Sequence, residues 1–150
     1  AQALTIMVAR LTIGKKKWSE GQDMAESILS KWDNNISTTI QLSVEDALAF
    51  DSVMDAYRLP KGDEEENKIR DKSIRKATIG AARTPLMIAY EASDLLTDIA
   101  SFSHFCNSNA MTDLASAAEM FSSSVLIANM NVRINLYFVK SCNHHDHYGY

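Results

Sequence analysis

The sequence is poor in the residues that punctuate short elements. Five glycines and two prolines serve 150 residues, too few for the turn every 8–12 residues or so that a β-sandwich or barrel needs. Two cysteines, Cys106 and Cys142, make no disulfide framework in a chain of this length, so a reducing, cytoplasmic setting is expected. No apolar run approaches the ~20 residues of a membrane span. No charged and then apolar leader opens the chain, so secretion is not expected either. A basic surplus is also lacking. The formal net charge is −4, whereas proteins that meet nucleic acid carry a positive balance. There is no Gly-rich phosphate loop, no GxSxG elbow and no pair of CxxC motifs. With 46% hydrophobic and 23% charged residues, the chain suits one globular domain with one buried core.

What the chain does have is helical periodicity, in four segments. Ala1 to about Ile13 is apolar and closes at Gly14 before Lys15, Lys16 and Lys17, a glycine and cations where a helix end leaves unpaired carbonyls. No capping residue precedes it, so the chain reads as starting inside a helix, with residues missing in front. From Gln22 to Tyr57, the residues Met24, Ile28, Trp32, Ile36 and Ile40 recur at four-residue steps, and Ala47, Phe50, Val53 and Tyr57 continue that stripe. One unbroken helix over this span would run about 50 Å. A break is the alternative, near Ser37, Thr38 and Thr39, where β-branched and hydroxyl residues weaken helix. Leu59-Pro60-Lys61-Gly62 ends the segment. Asp63 then reads as an N-cap, with Glu64, Glu65 and Glu66 favouring the positive end of a third helix. That helix runs towards Phe102, and Pro85 is expected to kink or split it. After a loop at His104–Ser108, Asn109 can cap a fourth helix to Val139, with Leu114, Ala118, Phe121, Val125, Ala128 and Val132 as its stripe. The expected fold is an all-α up-and-down bundle of long helices.

Several polar residues fall where a core should be. Asp46 lies four before Phe50 and seven before Val53, on the apolar side of its helix, whereas Asp51 and Asp55 fall on the solvated side. A carboxylate there is costly unless it is paired or wet, so Asp46 is either a structural partner of a neighbouring helix or part of a site. The fourth stripe leads on to Asn135, with Asn131 at its edge and Asp113 eighteen residues before Asn131 on the same face. These three form either a polar groove or a register-fixing amide seam. Arg133 points away from that face. Lys15–Lys17 could hold an anion but read more simply as a solvated run. Cys142, His144, His145, Asp146 and His147 include metal-ligand types, yet lack periodic flanks and read as a loose tail, so no metal site is expected.

Four stretches together resemble a known family. MVARLTIGKKK, DALAFDSVMDAYRLPKGDEEENKIRDKSI, NSNAMTDLASAAEM and NVRINL occur in the order and spacing of the cyclodeaminase domain of the formiminotransferase-cyclodeaminase family, which includes methenyltetrahydrofolate cyclohydrolases. The likeness runs to about Lys140, implying a helical domain over residues 1–140 and an unstructured tail over 141–150. It implies an all-α homodimer acting on one-carbon units carried by tetrahydrofolate, with the folate as substrate and no cofactor. The main reading is a formimidoyltetrahydrofolate cyclodeaminase, which expels ammonia and closes the 5,10-methenyl ring. The alternatives are a cyclohydrolase that opens that bridge with water, or a non-catalytic dimer module that has lost the folate cleft. A formiminotransferase is the implied protein partner. Residue by residue, the resemblance puts catalytic acids at Asp46 and Asp113, and substrate-binding groups at Lys61, Arg70, Asn131 and Asn135. The family's Gly-rich opening segment has no counterpart, because the chain begins after it, and Thr112 stands where the family usually has Ser.

Overall fold

The structure is a computed structural model that describes residues 1–33 and 36–145, with side chains through residue 139. Among the described residues there is no strand. The described residues form five α-helices in succession: α1 Gln2–Thr12, α2 Gln22–Trp32, α3 Ile36–Arg58, α4 Glu64–Phe102 and α5 Met111–His145. Short 3-10 turns cover Lys16–Gly21 and Ser108–Ala110. The all-α expectation holds. No described helix is long and apolar enough to cross a membrane.

Local chemistry accounts for most of the boundaries. Nothing caps α1 through a side chain, and just past its C-terminal end Gly14 takes φ +73°, a conformation that costs glycine little. The Asp63 carboxylate accepts from the Glu66 amide at 2.8 Å, the expected cap of α4. Of the two readings of the span from Gln22 to Tyr57, the break is the one met: α2 ends at Trp32 and α3 starts at Ile36, just ahead of the hydroxyl run. Of the two outcomes expected at Pro85, the split is not met, since α4 runs unbroken through it. The turn before α5 is capped by Asn107, not Asn109, because the Asn107 side chain accepts from the Asn109 amide at 3.0 Å. In addition, α5 continues to His145, past the expected end at Val139 and into the stretch read as a tail. Asp146 and His147 of that stretch lie outside the described residues.

The chain divides into two compact units. The first comprises Ala1–Ile40 and Ala89–Leu126. Its core gathers Ile6, Val8, Ile28, Trp32, Leu95, Ile99, Phe102, Leu114 and Phe121 from four helices. Each such side chain contributes roughly 1.5–3 kcal/mol by leaving water. Polar groups tie the edges together. Trp32 Nε1 donates to Asp98 at 2.6 Å, and Lys31 reaches the same carboxylate at 3.1 Å, which joins α2 to α4. Asn107 donates from its side chain to the Leu11 carbonyl and from its backbone to the Thr12 hydroxyl. Gly21 meets the Phe105 carbonyl so closely that a Cβ there would collide with it.

The second unit comprises Gln41–Ile88 and the described residues from Ile127 onward. The five residues from Leu59 to Asp63 join α3 to α4, short enough to make the two antiparallel. Arg70 of α4 donates to the Tyr57 carbonyl at the end of α3, 3.2 Å away, and its guanidinium lies over the Tyr57 ring. Leu42, Ala56, Ile74, Ala82 and Ala128 are buried here. The stripe expected on α3 is therefore displaced: Ala47, Phe50 and Tyr57 are exposed, and the buried register passes through Leu42 and Ala56. On α5 the expected stripe is met, with Leu114, Phe121 and Ala128 buried and Ala118, Val125 and Val132 half-buried.

Candidate functional site

A groove of about 390 Å³ opens within the second unit where α3, α4 and α5 meet. From α3 it receives Asp46, Phe50, Val53, Met54 and Tyr57, one to two turns apart, so a single helix face supplies both an acid and apolar walls. From α4 come Thr78, Ala81 and Pro85, and from α5 Asn131, Asn135 and Phe138. Asp46, Asn131 and Asn135, separated by as many as 89 residues of chain, thus line one depression.

The groove's polar groups have distinct states. Asp46 is exposed, so it does not face a closed core as its register suggested. It sits four residues after buried Leu42, and the packing at that point opens into the groove. Asn131 is exposed and Asn135 half-buried. The Asn135 side-chain nitrogen donates to the Asn131 carbonyl at 3.0 Å and to the Ala81 carbonyl at 3.5 Å. Thr78 is buried and donates its hydroxyl to the Ile74 carbonyl at 2.8 Å, leaving its lone pairs as acceptors.

The remaining predicted residues stand elsewhere. Lys61 is exposed in the connection between α3 and α4. Arg70 stacks on Tyr57, itself a groove wall, while its Nε is buried without an acceptor among the described residues. Asp113 lies half-buried in the first turn of α5, in the first unit, and is not among the residues lining the groove. Among the described residues no three His, Cys, Asp or Glu side chains gather to hold a metal. The side chains of Cys142, His144, His145, Asp146 and His147 lie outside the described residues.

A larger cavity, about 660 Å³, lies between α3 and α4, with Ser52, Ser73, Lys76 and Arg83 in its lining. Its one acid, Asp55, is paired with Arg58 at 2.8 Å, and it has no side-chain amide. Size favours this cavity, but chemistry favours the groove, where a carboxylate and two amides converge on an apolar floor. Sequence reasoning missed Tyr57, Thr78, Pro85 and Phe138 as groove residues. It read Pro85 only as a helix breaker, although a proline inside a strongly periodic helix also leaves a carbonyl four residues earlier in need of a donor.

The sequence profile of the formiminotransferase-cyclodeaminase family matches residues 1–148. Methenyltetrahydrofolate cyclohydrolase of Methylorubrum extorquens is 34% identical over 136 residues, covering 89% of this chain and 64% of that protein. Formimidoyltransferase-cyclodeaminase of Gallus gallus is 26% identical over 134 residues, again 89% of this chain but 25% of that protein. The chain thus spans under two thirds of the one relative and a quarter of the other. The crystal structure of formiminotetrahydrofolate cyclodeaminase from Thermotoga maritima superposes with a TM-score of 0.78 at 25% identity, covering 96% of this chain and 69% of that one. On the strength of a match over almost its whole length, this chain belongs to the formiminotransferase-cyclodeaminase family.

Proposed function

We propose that the chain is a folate-dependent one-carbon enzyme, a formimidoyltetrahydrofolate cyclodeaminase that releases ammonia and leaves 5,10-methenyltetrahydrofolate. The observation that carries this reading is the convergence of Asp46, Asn131 and Asn135 on one groove with aromatic walls. A pterin is flat, apolar on its faces and amide-like along one edge. Phe50, Tyr57 and Phe138 suit the faces, and the two asparagines suit the edge. Lys61 and Arg70 would meet the carboxylates of the glutamate tail.

In this proposal the formimino group enters protonated, as C=NH₂⁺; the N10–H nitrogen attacks its carbon, the new C–N bond closes the ring, and the C–NH₂ bond breaks. Asp46 takes the N10 proton and delivers it to the departing nitrogen, so that ammonia leaves neutral. The same carboxylate offsets the positive charge that spreads over the N–C–N bridge. Desolvation of Asp46 would come with the ligand filling the groove, since the side chain is exposed on its own. Asp113 is kept as the second acid implied by the resemblance, and Asp113→Asn is its separate test. The step transfers no electrons and asks for no redox or metal cofactor.

The second reading is a methenyltetrahydrofolate cyclohydrolase, favoured by the 34% identity with the Methylorubrum extorquens protein of that name. There the same carboxylate would take a proton from water as the water adds to the bridge carbon. The working form is proposed to be a cytoplasmic homodimer, which a formiminotransferase could supply with substrate. One assay on the purified chain tests these readings together. With formimidoyltetrahydrofolate, cyclodeaminase activity raises the methenyl absorbance. With methenyltetrahydrofolate, cyclohydrolase activity lowers it faster than spontaneous hydrolysis does. No change above background with either substrate contradicts both and leaves the non-catalytic module.

A further inference from the structure

Pro85 has no N–H, so the Ala81 carbonyl, one turn earlier in α4, lacks its helical donor. The donor comes from another helix: Asn135 Nδ2 lies 3.5 Å from that oxygen and 3.0 Å from its own helix's Asn131 carbonyl. Both partners are acceptors, so only the NH₂ end of the Asn135 amide can face them. Its Oδ1 is turned to the remaining side. Pro85, Ala81 and Asn135 all line the groove, and Pro85 is buried.

We infer that Pro85 is a positioning residue, whose missing N–H orients the Asn135 amide so that it offers the groove a hydrogen-bond acceptor. Asn135 then recognises a ligand through an N–H edge, such as that of an amino-pyrimidinone ring, and does not read a carbonyl. The inference rests on the folate reading for its ligand but not for its geometry. A helix interior is an unfavourable place for proline, so the residue works against stability in favour of recognition.

Pro85→Ala tests this, because alanine restores the donor to Ala81 and releases Asn135. The melting temperature is expected to rise by about 5 °C. The Asn135 side-chain amide protons, slow to exchange in the parent protein, are expected to exchange faster in the variant. KM for the tetrahydrofolate substrate should rise about tenfold, with kcat changed less than about threefold. A variant that is more stable but keeps the parent's amide exchange and KM overturns the inference. If the parent itself neither binds nor converts a folate, the functional reading fails, and the amide exchange of Asn135 alone then decides the positioning role.

Discussion

At the scale of single residues, the groove depends on side chains whose roles are set by what they touch. Asn135 is constrained by two carbonyls, Arg70 by a ring and a helix end, and Asp46 by little beyond its place on α3. Elsewhere, Glu91 on α4 is half-buried, and burial pushes its carboxyl above the usual carboxylate range. In such a group the folded state holds the proton more tightly than the unfolded chain does. Stability therefore falls as pH rises from the ordinary carboxylate range through the raised value, and the full penalty applies at neutral pH. Glu91→Gln is expected to melt higher than the parent at pH 7, with the gap closing as the pH is lowered to about 4. Melting curves across that range check it. Glu64 behaves in the opposite sense, because Lys68 at 2.7 Å lowers its carboxyl. That pair is exposed, however, and contributes little.

At the scale of elements, capping and periodicity explain what was legible. Asp63 was readable as the cap of α4 from Pro60, Gly62 and the three glutamates around it. Asp63→Ala should destabilise the protein by about 1 kcal/mol, measured by denaturant unfolding with an unchanged m-value. The α5 stripe was legible for the same reason, since its apolar residues meet a core throughout. The α3 stripe was not, because Phe50 and Tyr57 face a groove, and sequence does not distinguish an apolar groove wall from an apolar core. Asp46, Asn131 and Asn135 were legible as polar interruptions of apolar faces, but their convergence is a tertiary fact. Pro85 was legible only as a kink or a break, because its place beside an amide fifty residues away on α5 is also a tertiary fact. Resemblance named Lys61, Arg70 and Asp113, which periodicity had either passed over or placed only on a shared face.

At the scale of the whole molecule, helix length bears on assembly. The 39 residues of α4 and 35 of α5 correspond to about 58 and 52 Å, against the roughly 30 Å that spans a small domain. The resemblance implies a homodimer, and helices this long in so short a chain favour one, because a second copy would cover them. Large apolar side chains of the second unit, among them Leu48, Ile79, Met130 and Tyr137, are exposed in the single chain, and the proposed second copy would cover part of them. Light scattering on the purified chain should return twice its 16.7 kDa, and a concentration-independent monomer would remove the proposed dimer.

The groove carboxylate Asp46 is proposed to move the proton at the folate bridge. Asp46→Asn keeps the shape and removes the charge of an exposed side chain, so its melting temperature should match the parent's. Methenyl absorbance is followed with saturating substrate for whichever of the two reactions the parent catalyses. In Asp46→Asn, kcat is expected to fall at least a hundredfold while the folded protein still binds the folate. Turnover at the parent rate in that variant would contradict the proposal.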